Sequence, residues 1–153
     1  MISLKFLHKN EIYAQLLEKG TFDSFLLREV LLIGDYTFHI QPSDDASEPI
    51  AYGQIRPMLG DFLKLSSPDS IRGQIVLRAS DAYQNTLFNH PSFTGDPELI
   101  KGLILTFRIE NDHATALTGI SHASFTLDRS IDSLWDQGIK KAFDNTSLSY
   151  ELM

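Results

Sequence analysis

The sequence predicts an α+β fold, a mainly antiparallel sheet of about six or seven strands with about four helices packed on one face. Three observations predict it. Apolar and polar residues alternate in several short runs, the period of half-buried strands. These runs follow one another in pairs separated by turn dipeptides, as hairpins do. Between the pairs lie segments whose apolar residues recur at helical spacing, giving a layer of helices over the sheet.

The elements follow in order. Ile2, Leu4 and Phe6 alternate as a first strand. Asn10 is placed to cap a helix carrying Ile12, Leu16 and Leu17 on one face, and Gly20 to end it. Leu26 to Ile33 and Tyr36 to Gln41 flank Gly34-Asp35, a pair suited to a two-residue turn because glycine supplies positive φ at its first position. Pro42 to Pro49, with Asp44, Asp45 and Glu48, reads as an acidic, solvated loop. Ile55, Met58, Leu59, Phe62 and Leu63 have helical spacing, with Pro57 expected in the first turn, where its missing N–H is not needed.

Ile75, Leu77 and Ala79 alternate as a strand, and a short helix follows from Asp81 with Tyr83, Leu87 and Phe88. Two prolines and a glycine make Asn89 to Pro97 a loop. Leu103, Leu105, Phe107 and Ile109 form the clearest strand, turning at Asn111-Asp112 into Ala114 and Ala116. Ala123, Phe125 and Leu127 read as a further strand after Gly119, or as the continuation of one long strand bent by a bulge there. Ile131, Leu134, Trp135, Ile139, Ala142 and Phe143 make a continuous apolar stripe for a last helix. Ser130 stands as its cap, acidic residues come early and Lys140 and Lys141 late. On that stripe Trp135 is a core residue, and Gly138 permits a close approach to the sheet.

Superposing Leu4 on Ile75 also aligns Phe6 with Leu77, Asn10 with Asp81, and Leu16 with Leu87. The chain then reads as two β-α-β-β-α units, with an additional strand in the second.

Composition bounds the function. A length of 153 residues suits one domain, residues 1–153, that buries roughly 70% of its unfolded surface. The net charge of −7 disfavours nonspecific binding to nucleic acid or anionic membrane, since a phosphate lattice rewards surplus Lys and Arg. The absence of cysteine excludes disulfides, thiolate nucleophiles and Cys-rich metal sites. No signal-peptide core or membrane-length apolar run occurs, so a cytoplasmic location is expected. No P-loop, G-x-G-x-x-G, H-E-x-x-H or G-x-S-x-G motif is present, and neither a cofactor nor a metal is called for.

Strand parity points to one candidate surface. With Gly34-Asp35 as a two-residue turn, Ile33 pairs with Tyr36 and Leu31 with Phe38, which assigns Arg28, Val30 and His39 to the opposite face. Arg78 and Arg108 lie on that face by the same parity, and a tight turn at Asn111-Asp112 places His113 there beside Glu110. His122 joins them if Gly119-Ile120 is also a tight turn. Arg28, His39, Arg78, Arg108, His113 and His122 are thus candidates for an anion-binding or partner face, set against the ordinary polar face of a solvated sheet.

Ile55-Arg56-Pro57, then Thr118-Gly119-x-Ser121, then Phe125-Thr126-Leu127-Asp128 with Ser130 and Trp135-Asp136, resembles a family of uncharacterised proteins of similar length from Gram-positive anaerobic bacteria. The resemblance implies a cytosolic protein of one domain and carries no catalytic residue with it.

Three functions follow as expectations. The first is a noncatalytic binding or protein-interaction module that uses the exposed sheet face or an edge, as a homodimer or with another protein. The second is a small enzyme acting on an anionic metabolite, with Arg78 and Arg108 holding the anion and His39 or His122 moving a proton. The third, nucleic-acid binding, requires Arg28, Arg78 and Arg108 to form a continuous stripe.

Overall fold

The computed structural model describes residues 1–43 and 48–153. Asp44 and Asp45 of the acidic loop lie outside the described residues. In chain order the elements are β1 (Ser3–Phe6), α1 (Lys9–Tyr13) running into a π-helical turn (Ala14–Glu18), β2 (Leu26–Ile33), β3 (Thr37–Ile40), and α2 (Tyr52–Leu63). They continue with β4 (Arg72–Arg78), α3 (Asp81–Phe88), β5 (Ile100–Ile109), β6 (Ala114–His122), α4 (Ser130–Asp144) and β7 (Tyr150–Leu152). The seven strands form one sheet in the order β3-β2-β4-β5-β6-β1-β7, with every neighbouring pair antiparallel. Among the described residues no helix is long and apolar enough to cross a membrane.

Alternation decides which side of the sheet the helices cover. Leu4 and Phe6, Ala114 and Ala116, Leu105 and Phe107, Ile75 and Leu77, and Val30 and Leu32 point to one side and are buried. The apolar stripe of α4 lies over them, with Phe143 edge-on to Phe6 at 5.4 Å between ring centroids. Trp135 is buried there as the stripe requires, and its indole N–H donates to the Ile104 carbonyl at 3.0 Å. Gly73 lets β4 approach β2 closely. Its φ is 145°, and a Cβ built on it would stand 1.9 Å from the Leu31 carbonyl oxygen.

The two β-α-β-β-α units appear in the element order, with β7 as the additional strand. The sheet does not repeat them in space. β1 pairs with β6 and β7, whereas its counterpart β4 pairs with β5 and β2.

Several local expectations are corrected. The β2–β3 turn spans Gly34, Asp35 and Tyr36, so Ile33 pairs with Thr37 and Leu32 with Phe38. Val30 pairs with Ile75 and faces the helices, fully buried, and a bulge at Arg28 in the β2–β4 pairing lets Leu27, opposite Leu77, face them as well. Helix α2 starts at Tyr52, a turn earlier than the apolar spacing indicates, because Tyr52 is itself buried and donates its hydroxyl to the Leu16 carbonyl at 2.9 Å. Pro57 consequently lies inside the helix. Ser130 is the first residue of α4, and the capping oxygen comes from Asp128, which accepts the Ser130 amide at 3.0 Å. Gly138 makes room for α3 rather than the sheet, since a Cβ there would meet the Tyr83 hydroxyl at 2.1 Å.

Strand β6 runs through Gly119 to His122 without a bend, and residues 123–127 are not a strand. Phe125 and Leu127 stand 79% and 83% exposed, so their alternation does not reflect a buried face.

Candidate functional site

The side of the sheet away from the helices has no cover among the described residues, and its register sets side chains in rows. One row crosses all seven strands: His39, Leu31, Gln74, Arg108, Thr115, Lys5 and Glu151. The next contains Glu29, Val76, Thr106, Leu117 and Ser3, and a third contains Leu26, Arg78, Ile104 and Gly119. Rows lie ~7 Å apart along the strands, and strands ~4.8 Å apart across them.

Within this grid Leu31, Val76, Ile104 and Leu117 occupy four consecutive strands, each the diagonal neighbour of the next. Long side chains at such positions touch. All four are half-buried, and none belongs to the hydrophobic cluster under the helices or packs against it. They form a continuous aliphatic stripe across the centre of an uncovered sheet.

Charged groups border the stripe. Arg28, on the bulge, edges a depression floored by Val76, Ile104 and Gly119. Arg72 and Arg108 edge a second depression with Leu31, Gln74 and Glu110. Glu29 accepts from the Gln74 amide at 2.6 Å and lies 3.3 Å from His39 Nε2. The Gln74 hydrogen bond, joined by His39, holds the Glu29 carboxyl below its ordinary range against the opposing effect of burial.

Five of the six candidates from the sequence lie on this side or at its rim, but they do not converge. Arg108 and Arg78 are separated by two rows, ~13 Å, and His39 is three strands from Arg108, ~14 Å. Arg78 is ion-paired with Asp81 at 2.9 Å. His113 sits at the β5–β6 turn, 2.7 Å from its neighbour Asp112. His122 is placed differently: β6 does not turn at Gly119-Ile120, so His122 has the parity of Ala116 and Thr118 and lies on the helix side, paired with Ile100. There it lines a recess with Phe125, Thr126 and Arg129. No group of three or more His, Asp or Glu among the described residues is placed to hold a metal ion.

The stripe itself went unread in the sequence, although it left a signal. Val30 to Ile33, Ile75 to Leu77 and Leu103 to Leu105 are continuous apolar runs. Such runs belong to strands covered on both faces, whereas a sheet with one solvated face alternates strictly.

The family model described as "Family of unknown function (DUF5721)" matches residues 15–151. The chain belongs to this family. No curated protein and no solved structure matches it. In this DUF5721 member, several of the residues that carry the resemblance, Arg56, Thr118, Asp128, Ser130 and Asp136, hold elements together, whereas Phe125 and Leu127 are exposed. Arg56 of α2 makes two hydrogen bonds to Asp23, at 2.7 and 3.0 Å, and one to the Leu17 carbonyl at 3.0 Å. Thr118 of β6 donates to Asp136 of α4. Asp128 accepts from the hydroxyls of Ser130 and Thr94, each at 2.5 Å, and so ties the loop after α3 to the start of α4. These DUF5721 residues serve the fold, and the aliphatic stripe lies on the other side of the sheet.

Proposed function

We propose that this DUF5721 protein is a noncatalytic interaction module that docks a protein partner, a second copy or another chain, on the open face of its sheet. The observation that supports this reading is the stripe of Leu31, Val76, Ile104 and Leu117, joined across four strands and uncovered by any described helix. A contiguous, half-exposed apolar strip rimmed by charge is the kind of feature that marks a docking site. The rim carries both signs, Arg28, Arg72 and Arg108 with Glu29 and Glu110, which favours a protein surface over a phosphate lattice.

The enzyme reading needs an anion-holding arginine beside an imidazole, and the arginines and histidines of this face are dispersed. The resemblance to proteins of Gram-positive anaerobes supports placing the module in the bacterial cytoplasm. The test is sedimentation and cross-linking of the full chain, alone and in extract of its own cells. An assembly whose cross-links map to Lys5 and the β2 to β6 surface supports the proposal, whereas cross-links confined to the helix side contradict it.

A further inference from the structure

Protein interiors are close-packed, and voids larger than a water molecule are few. On the helix side, between α3, α4 and the turn before β2, this molecule keeps a cavity of about 130 Å³. Aromatic rings wall it: Trp135 stands 5.8 Å from Tyr83 and 6.4 Å from Phe25, centroid to centroid. The space exists because small residues occupy positions where larger ones would close it. Gly138 and Ala142 are one turn apart on α4, and Ala79 follows β4. Ser24 is the exposed residue of the lining and marks the mouth. The Tyr83 hydroxyl overhangs Gly138 and has no hydrogen-bond partner among the described residues, although the Tyr83 amide is satisfied by Ser80.

We infer that this cavity is a binding site for a small monocyclic, largely apolar molecule carrying one uncharged hydrogen-bonding group. An apolar cavity of about 150 Å³ takes benzene, so one ring is the occupant that this volume fits. The aromatic walls offer a ring both faces and edges to pack against. The free Tyr83 hydroxyl supplies a partner for a single polar substituent. Among the described residues no charged one lines the cavity, so an ionised ligand would lose its hydration without compensation. The site is separate from the open sheet face and does not depend on its function.

Trp135 is the one tryptophan of the chain, so its emission reports directly on the cavity. Cyclohexanol, which is optically transparent, is titrated into the full-length protein, with cyclohexanecarboxylate as its charged counterpart. The expected result is a saturable change in Trp135 emission with cyclohexanol and none with the carboxylate. Ala142→Leu fills the cavity and removes the response, and Ser24→Leu blocks the mouth and does the same. Because Ser24 is exposed, its variant keeps the test decisive if Ala142→Leu does not fold by circular dichroism. Tyr83→Phe weakens cyclohexanol binding by about fivefold, the loss of one hydrogen bond. A wild-type protein with no saturable response overturns the inference, as does an equal response in folded Ala142→Leu or Ser24→Leu protein. Equal binding of the carboxylate overturns the ligand class.

Discussion

The hydroxyl of Thr118, buried on the helix side of β6, donates to the carboxylate of Asp136 on α4 and accepts the amide of Ile2 at 2.9 Å. One side chain of β6 thus fastens the longest described helix and the residue leading into β1 to the same point of the sheet. Thr118→Val keeps the shape but leaves a partly buried carboxylate oxygen and a partly buried amide without their partner, and the expected cost is about 1 to 2 kcal/mol. Thr118→Ser keeps the hydroxyl and is expected to cost less. Urea denaturation of both variants checks the order, and a Val variant as stable as wild type contradicts it.

Gly73 carries a backbone conformation that side chains avoid, with the Leu31 carbonyl where a Cβ would be. Gly73→Ala is expected to destabilise the sheet by about 2 to 3 kcal/mol, because strain and collision act together. Gly60, whose Cβ would meet nothing within 4 Å, is the matched control. Gly60→Ala, inside α2, is expected to be neutral or stabilising. Thermal unfolding of the pair measures the contrast, and equal effects would show that the close approach at Gly73 is absent.

Acid stability depends on Asp128. The Ser130 hydroxyl, then the Thr94 hydroxyl and the Ser130 amide, hold its carboxyl below the ordinary aspartate range. A carboxyl whose folded value is depressed contributes stability above its unfolded value, about 3.9, and loses it as pH falls through the folded value. Glu29, held low chiefly by Gln74, acts with the same sign. Unfolding free energy is therefore expected to fall from about pH 5 downward. Asp128→Asn should start lower at neutral pH and fall less steeply. A denaturation series at fixed ionic strength measures this, and an unchanged acid limb in Asp128→Asn contradicts it.

Much of the architecture was legible in the sequence where several local signals agreed. The alternation of Leu103 to Ile109 and the stripe of α4 agree with the turns and charges that flank them. The misreadings occurred where one residue decided a parity. Gly34-Asp35 has the chemistry of a two-residue turn, but Tyr36 belongs to the turn as well, and that single residue shifts the register so that His39 pairs with Leu31 rather than with Val30. Ala123, Phe125 and Leu127 alternate without facing any partner strand, and alternation alone does not supply one. β7 is three residues long, too short to carry a period. The candidate face was found through its charges, yet its main feature is aliphatic. Leu31, Val76, Ile104 and Leu117 were hidden inside runs whose other members fill the core, and only the pairing register separates the two sets.

Paired charge substitutions on the open face test whether it docks a partner. Val76→Glu and Leu117→Glu place carboxylates at two points of the stripe where no core residue packs. Each is expected to cost about 1 to 2 kcal/mol, for the lost half-buried aliphatic group and, at Val76, for a like charge opposite Glu29, and to leave the protein folded. The measurement is the mass of the complex formed by wild-type and doubly substituted protein in extract of its own cells, by sedimentation of the tagged chain. Wild type is expected to sediment as an assembly and the folded double variant as a monomer. An assembly that survives both glutamates, or a wild-type chain that stays monomeric, contradicts the docking proposal.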